Sequence, residues 1–378
     1  MNPNKPGNST RQGVWRGCDI FSALALFLGV SLAGAELSFA EGMVEKLARA
    51  KFNRVAGPAA SGSVLDVGPA GSWCDYVVWA PTIDFDGQLY RMWFSGGSKT
   101  ADRGVPYGWY ERLGLAMSPD GVHWKLANDG KPVLDLGNRG SADALGLDHP
   151  YVLRVGEQFM MWYGGIDGKL AKNHGLKPGH VRMERICLAT SPDGIQWTRA
   201  NHGQPVLTIG AKDSIDSIQA SGMHILFIDG QFVMWYGAYD GVHRLALATS
   251  PDGIHWTKGN HGKPLTGLQG NQQLGPSVYY ESGRYFMLYN TDWRGGWSTY
   301  AATSADGIHW TPVPSGQPVL GPPPAGNFDE AGKGRNFCVH PTKMLIRDGS
   351  VRVWYGGEMA GGPNCQRIGL MQAILLNH

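Results

Sequence analysis

The chain has 378 residues, of which 42% are hydrophobic and 17% charged, and its formal net charge at pH 7 is +2. This length suits one large domain or two ordinary ones, and the sparse charge gives no electrostatic basis for binding nucleic acid or an anionic membrane. The 55 glycines and 14 tryptophans indicate many tight turns and many large packing surfaces or flat ligands.

The N-terminal segment has the pattern of an export signal. A basic start precedes the apolar run 20–35, which has the length of a signal h-region. Cleavage would follow Ala35 or Ala40. The alternative, an uncleaved membrane anchor, needs a longer apolar run to cross a bilayer. The sequence therefore predicts a signal peptide over 1–40, one mature domain over 41–378, and a secreted or periplasmic protein.

Four cysteines lie beyond this signal. In an exported protein, Cys338 could pair with Cys365 or with Cys74. Cys187 lies in an apolar strand, where a buried free thiol is expected. The spacing of cysteines and histidines does not suggest a zinc site.

Short modules recur along the chain. A turn followed by an aromatic residue occurs as SPDGVHW (118–124), SPDGIQW (191–197), SPDGIHW (250–256) and SADGIHW (304–310). An aromatic strand occurs as MWFSGG (92–97), MWYGG (161–165), MWYGA (234–238), MLYN (287–290) and VWYGG (353–357). With the apolar strands around them, these modules predict a repeating unit of four strands, A to D, in which the SPDG turn joins C to D.

Five such units predict an all-β fold, a five-bladed β-propeller with four-stranded antiparallel blades. The apolar strands fit burial on both faces, as occurs when blades stack. The last unit stops after its third strand at 367–376, and segment 51–68 matches the missing fourth strand. Residues 51–66 are therefore predicted to close the ring by completing the last blade.

One face of a propeller carries the starts of the A strands and the B–C loops, so a site is expected there. The tryptophans and turn aspartates that recur in the units suit core and turn positions. Five other tryptophans map to the predicted face: Trp73, Trp79, Trp109, Trp293 and Trp297. Flat aromatic rings suit stacking on sugar rings, and packing at the rim is the alternative.

Carboxylates collect on the same face. Cleavage of a glycosidic bond needs one carboxylic acid and a second carboxylate as base or nucleophile. Asp148 and Glu358 do not recur in kind, and with Asp75 they are the candidate catalytic residues. Asp75 has counterparts elsewhere, which also fits a structural role: Asp143, Asp216 and Asp329. The recurring arginines expected to pair with them are Arg112, Arg185, Arg244 and Arg367.

Three histidines, His149, His224 and His340, lie at the starts of A strands. They could be hydrogen-bonded core residues, bind sugar hydroxyls, or hold a divalent ion on the propeller axis together with Asp148. We expect no cofactor or metal and leave the axial ion as an open alternative. The candidate substrate-binding residues are Trp73, Trp79, Trp109, His149, His224, Trp293, Trp297 and His340.

These modules resemble the five-bladed glycoside hydrolases, notably families 43, 32 and 130, over nearly the whole mature chain. The resemblance implies a monomeric glycosidase that acts on a furanosidic or related glycan in the central funnel with paired carboxylates. In those families an acidic residue usually stands directly before the strand A proline. The residues there in this chain are Ala80, His149, Gly222, Gly275 and His340. This departure leaves two alternatives, a non-catalytic glycan-binding propeller or an unrelated, metal-dependent enzyme on the same scaffold.

Overall fold

The five repeats fold as five antiparallel blades, as the sequence predicted. The computed structural model describes residues 42–98, 110–170, 182–292, 297–330, 338–339, 341–358 and 366–375. Residues 41–378 form one compact unit. The export signal predicted for 1–40 lies outside the described residues. Within the described part of the chain, no helix has the length and apolar character that a membrane crossing requires.

The strands follow the order A to D in each blade. Blade 1 contains β2 (Val77–Phe85), β3 (Tyr90–Ser98), β4 (Tyr110–Ser118) and β5 (Lys125–Leu126). Blade 2 contains β6 (Gly146–Val155), β7 (Gln158–Leu170), β8 (Arg182–Ser191) and β9 (Thr198–Arg199). Blade 3 contains β10 (Gln219–Ile228), β11 (Gln231–Tyr239), β12 (His243–Ser250) and β13 (Thr257–Lys258). Blade 4 contains β14 (Gln273–Glu281), β15 (Arg284–Thr291), β16 (Ser298–Ser304) and β17 (Trp310–Pro312).

Blade 5 is built from both ends of the propeller. Its strand A is interrupted, as β18 (Cys338–Val339) and β19 (Leu345–Arg347), and is followed by β20 (Ser350–Glu358) and β21 (Gln366–Ile374). The fourth strand is β1 (Asn53–Val55), which pairs antiparallel with β21. A further bridge joins Leu65 to Ile368. The predicted ring closure by the N-terminal segment is therefore confirmed.

Paired tryptophans join neighbouring blades through the SPDG turns. The indole of Trp162 in blade 2 donates a hydrogen bond of 2.8 Å to the Gly253 carbonyl of blade 3, and Trp256 donates to the same oxygen at 2.9 Å. Equivalent bonds run from Trp354 to Gly121, from Trp93 to Gly194 and from Trp235 to Gly307. We call this arrangement the indole clasp. It ties together four of the five blade junctions.

The junction between blades 4 and 5 is sealed differently. Blade 4 has Leu288 at the position of the clasp tryptophan, and the helix α1 (Met43–Arg49) packs nearby. Val44 and Leu47 of α1 share a buried cluster with Leu288 and Met371. The Glu281 carboxylate accepts a hydrogen bond of 2.7 Å from the Met43 amide. Apolar packing by the N-terminal helix therefore replaces the clasp at this junction.

A bulge near the start of strand A positions the mouth of the propeller. The register between strands A and B shifts by one residue in blades 1 to 4, for example between Asp148 and Tyr151. The shifted residue has positive φ in each case, 45° at Ala80, 48° at His149, and 58° at Gly222 and Gly275. Bulges bend a strand and redirect its side chains, and they often lie beside functional sites.

The indole clasp predicts a specific penalty at its glycines. A Cβ at Gly253 would lie 2.7 Å from Cζ2 of Trp162, and φ there is +77°. Gly203 has a similar φ of +72°, but a Cβ added there would meet no atom within 4 Å. We expect Gly203→Ala to lower the free energy of unfolding by about 1–2 kcal/mol through backbone strain. Gly253→Ala should cost about 1–3 kcal/mol more through overpacking, measured by chemical denaturation. Equal losses in the two variants would contradict the clasp.

Candidate functional site

An aspartate and a histidine at the start of strand A in blade 2 form the centre of the mouth. The Asp148 side chain is fully buried. Its Oδ1 accepts hydrogen bonds from the Ser95 hydroxyl at 2.9 Å and from the His149 amide at 2.6 Å. Its Oδ2 lies 3.0 Å from Nδ1 of His149. Asp148 therefore fixes the orientation of the imidazole, whose backbone is already set by the bulge.

A glutamate from strand C of the same blade completes this group. Glu184 lies where blade 2 meets blade 3, paired with Gln219. One oxygen of Asp148, one oxygen of Glu184 and one ring nitrogen of His149 all lie within 4.8 Å of one another. We call these three residues the mouth cluster. Glu111 occupies the matching position in blade 1, because it pairs with Gly97 as Glu184 pairs with Ile166.

The mouth cluster favours a charged imidazole. Burial alone would lower the pKa of His149, but the adjacent Asp148 carboxylate, followed by Glu184 and Glu111, outweighs burial and raises that pKa above its ordinary value. His243, at the start of strand C in blade 3, behaves in the opposite way. Burial and then the charge of His149 lower the pKa of His243 to about 4. The pKa values of the two imidazoles at the mouth are therefore shifted in opposite directions.

Aromatic rings flank these groups on both sides. Trp79 meets the His149 ring edge-on, with ring centroids 4.7 Å apart. On the other side, the His243 ring lies 4.4 Å from Tyr239 and 6.1 Å from Trp297. Trp79 and Trp297 are thus both placed beside imidazoles of the mouth. Their predicted contacts with sugar stay predictions.

Glu358 is the last residue of β20 and pairs with Gln366 at the start of β21. It is half-buried, and burial raises the pKa of its carboxyl. A raised pKa suits a group that must donate a proton near neutral pH. Its predicted catalytic role stays a prediction.

Two of the predicted site residues belong to the packing of blade 1. Trp73 stacks on Phe94 with centroids 5.8 Å apart, and its indole donates a hydrogen bond of 2.8 Å to the Gly130 carbonyl. A Cβ at Gly96 would lie 2.5 Å from this indole. Asp75 accepts a hydrogen bond of 2.8 Å from the Gly71 amide within a turn. We therefore remove Trp73 from the sugar-binding residues and Asp75 from the catalytic ones.

His224 is also a buried packing residue of the propeller core. It is buried, and its Nε2 lies 3.2 Å from the Tyr151 hydroxyl. Burial and then the charge of Lys343 lower its pKa to about 3, although a hydrogen bond with the Val278 backbone partly offsets them. A neutral imidazole with both sides occupied is a core histidine, so the prediction that it binds substrate is corrected.

Trp109, Trp293, His340 and Cys365 lie outside the described residues, as does the Cys338 side chain. Cys74 and Cys187 are buried free thiols.

The recurring aspartates form buried triads with a tyrosine and a strand D cation. Asp143 accepts hydrogen bonds from the Tyr163 hydroxyl at 2.9 Å and from Arg199 at 2.6 Å. Two other blades repeat this arrangement, as Asp216 with Tyr236 and Lys258, and as Asp329 with Tyr355 and Arg54. The arginines expected to pair with these aspartates bind elsewhere, and that expectation was wrong. Arg112 pairs with Asp135 and Arg185 with Asp167. Arg244 pairs with Asp240 and Arg367 with Asp66.

Blade 1 replaces the whole triad with apolar residues. Cys74 takes the place of the aspartate and Phe94 that of the tyrosine. Leu126 pairs with Ala116 as Arg199 pairs with Ala189, so it takes the place of the cation. Asp75 is therefore one residue beyond the true counterpart of Asp143.

Sequence reasoning missed Glu184, Glu111 and His243 because each lies within the first three residues of a strand C that otherwise repeats. A signal was present. The residue before each recurring strand C arginine varies, as Glu111, Glu184, His243 and Gln366, whereas the residues after it are similar. A functional site on a repeated scaffold should make the residue type vary at one strand position while the neighbouring residues stay similar. This position lies on the face that carries the mouth.

The chain is similar to known proteins in sequence and in structure. No protein-family profile matches the chain. An uncharacterised protein of Mycobacterium tuberculosis is 26% identical over 247 residues, 62% of this chain and 76% of that protein. An A-type blood N-acetyl-α-D-galactosamine deacetylase of Flavonifractor plautii is 24% identical, over 65% of this chain and 36% of that protein. A 1,2-β-oligomannan phosphorylase of Thermoanaerobacter is 27% identical, over 49% of this chain and 54% of that protein.

Solved structures match over most of the propeller. One is a structure from glycoside hydrolase family 130, described with hydrolases that target β-1,2-mannosidic linkages in Candida mannan. It has a TM-score of 0.62 and 18% identity, and the match covers 85% of this chain and 93% of that one. A β-1,2-mannobiose phosphorylase of Listeria innocua has a TM-score of 0.59 and 12% identity, covering 86% and 97%. The chain has the propeller fold of these enzymes. The likeness to family 130 is supported, and that to families 43 and 32 stays an expectation.

The triads predict how blade 1 tolerates an aspartate. Cys74→Asp would bury a carboxylate beside Phe94 and Leu126, without the hydroxyl and cation that blade 2 supplies. We expect it to lower the free energy of unfolding by about 3–5 kcal/mol. Adding Phe94→Tyr and Leu126→Arg should recover part of that loss, because both partners are restored. Denaturant titration of the single and triple variants measures this. A triple variant no more stable than Cys74→Asp would refute the equivalence of the positions.

Proposed function

We propose that this protein is an enzyme that acts on carbohydrates and breaks a glycosidic bond at the mouth of the propeller. One observation carries this proposal, the convergence of Asp148, His149 and Glu184 within 4.8 Å beside the Trp79 ring. Glycosidic cleavage needs a proton donor and a carboxylate on the two sides of the bond. Trp79 is 9% exposed and packs edge-on against His149, so it holds the imidazole in place beside the bond.

Asp148 and Glu184 are both buried, and His149 is the partly exposed member of the mouth cluster. The roles are therefore proposed from position and charge, with His149 and Glu184 as the groups that face the bond. The imidazolium donates a proton to the leaving oxygen, and the Glu184 carboxylate directs the incoming water or phosphate. Asp148 is fully buried and acts through His149 as a positioning residue. Glu358, whose carboxyl pKa is raised by burial, is a second proton donor to test.

Relatives suggest the first substrates. An oligomannan phosphorylase is among the similar sequences, and enzymes of β-1,2-mannosidic linkages share the fold. We therefore place β-1,2-linked mannosides first and furanosidic glycans second. Both hydrolases and phosphorylases occur on this fold, so the acceptor is either water or inorganic phosphate. The predicted export signal would put this activity outside the cytoplasm.

The test is turnover of a defined panel by the purified protein. β-1,2-mannobiose and a set of furanosides and pyranosides are incubated with and without inorganic phosphate, and free sugar and sugar phosphate are measured. Glu184→Gln should lower kcat by about 10²–10⁴-fold because general acid–base contributions have that size. Asp148→Asn should lower kcat while leaving the fold intact. The matched control is Glu157→Gln, which changes an exposed glutamate in a strand A–B hairpin.

Two results would overturn the proposal. Wild-type rates in Glu184→Gln would remove the mouth cluster from the reaction. Binding on a glycan array without turnover of any substrate would favour the non-catalytic glycan-binding propeller instead.

A second candidate function is favoured by the chemistry of the same cluster. Two carboxylates and an imidazole with ligand atoms within 4.8 Å of one another are a donor set that divalent transition metals accept. Asp148, His149 and Glu184 would hold the ion, which when bound would polarise an acetamide carbonyl for hydrolysis. A deacetylase of N-acetylgalactosamine is among the similar sequences.

Chelation separates the two functions. If the protein is a deacetylase, acetate release from an N-acetylgalactosaminide should stop after EDTA treatment and return when the metal is added back. Glycan cleavage that is unaffected by EDTA, with no acetate release, would rule out this second candidate.

A further inference from the structure

The A strands of all five blades surround a small cavity on the propeller axis. Blades 1 to 4 contribute the residue after the bulge position, and blade 5 contributes a proline; these residues are Pro81, Pro150, Met223, Pro276 and Pro341. The narrow part of the cavity has a volume of ≈ 30 Å³, room for about two or three waters. Only a small ion, or a small group of a larger ligand, can enter this narrow part.

Lys343 reaches this cavity because strand A of blade 5 contains one extra residue. In blade 2, Tyr151 pairs with Trp162 and Leu153 with Met160, so one residue lies between the two pairs on each strand. In blade 5, the Thr342 amide bonds to the Trp354 carbonyl and Leu345 pairs with Arg352. Two residues of strand A therefore stand opposite one residue of strand B, which is a bulge.

The extra residue is the lysine. Met344 is 7% exposed and lies in the buried core, as Val152 does in blade 2 at 2%. Lys343 has no such core position and lines the axial cavity instead. A bulge redirects a side chain in this way, so the insertion places a cation on the axis.

Lys343 is the one lysine among the described residues that line the cavity, and none of those residues is a carboxylate. Among the described residues, the structure gives the Lys343 ammonium no hydrogen bond or ion pair. His224, which also lines the cavity, is neutral, and the charge of Lys343 contributes to its lowered pKa. A half-buried ammonium in such surroundings lacks a counter-charge.

We propose that the axial cavity binds one small monoanion, a halide or a carboxylate group, through the Lys343 ammonium. Asp148 and Glu184 do not line the cavity, although His149 does, and the proposal does not depend on the proposed function. The ligand comes either as a free ion or as the acidic group of a small sugar acid, and the test distinguishes these sources.

The test follows thermal unfolding of the full-length protein at constant ionic strength. Sodium 2-(N-morpholino)ethanesulfonate, whose bulky anion carries no carboxylate, is replaced stepwise by sodium bromide, sodium formate or sodium galacturonate. In the wild type, Tm should rise and then saturate with bromide and with formate, because a ligand that binds only the folded state stabilises it. A response to galacturonate alone would identify a sugar acid as the source.

Matched variants locate the site. Lys343→Met should abolish the saturable shift in Tm, and Lys343→Arg should keep it. Lys131→Met, the same change at an exposed turn lysine, should respond like the wild type. If Lys343→Met is too unstable, an anomalous difference map of a bromide-soaked wild-type crystal gives the answer. A saturable response that persists in Lys343→Met, or no bromide peak beside the Lys343 ammonium, overturns the proposal.

Discussion

The indole clasp is the interaction on which the geometry of the propeller depends. Two indole N–H groups, from neighbouring blades, converge on one glycine carbonyl, as Trp162 and Trp256 do at Gly253. The glycine has positive φ and no room for a side chain, so turn conformation and blade spacing are set by the same residue. Because four junctions repeat this contact, the starts of the A strands are held at fixed positions around the axis. Residues of a neighbouring blade are then held beside the mouth cluster of blade 2, as Ser95 and Trp79 of blade 1 are.

A regular scaffold carries an irregular site. Each blade offers the same few positions at the mouth, namely the bulge residue of strand A, the end of strand B and the start of strand C. Blade 2 fills them with His149 and Glu184, whereas blade 3 has Gly222 and His243. Proximity of Asp148 makes the first imidazole basic, and burial makes the second one neutral. The chemistry of the site therefore depends on residues that differ between equivalent positions of the blades. The fold depends on residues that are the same in most blades.

This division explains how much the sequence could predict. Repeated turns and aromatic strands gave the number of blades and the closure by residues 51–66, because those features depend on local chemistry that recurs. Asp148 and His149 were found because they stand beside a strand A proline. Glu184 was missed because it lies on strand C of blade 2, two strands away from Asp148 and His149, and meets them only when the blade is folded. Asp75 was taken as the counterpart of Asp143, but that counterpart is Cys74, one residue earlier. The buried triads that show this equivalence can be recognised only once the strand register is known.

Closure of blade 5 has a bearing on the order of folding. β1 finds its hydrogen-bonding partner only in β21, more than three hundred residues later, as the pairing of Arg54 with Met371 shows. Contacts of such long sequence separation form late, because the whole intervening loop must first be ordered. Until the last strand is in place, the opening segment and the final blade both present unpaired edges. The strands of blades 1 to 4 can pair within each blade as the chain is synthesised. The ring of blades closes only when β1 pairs with β21.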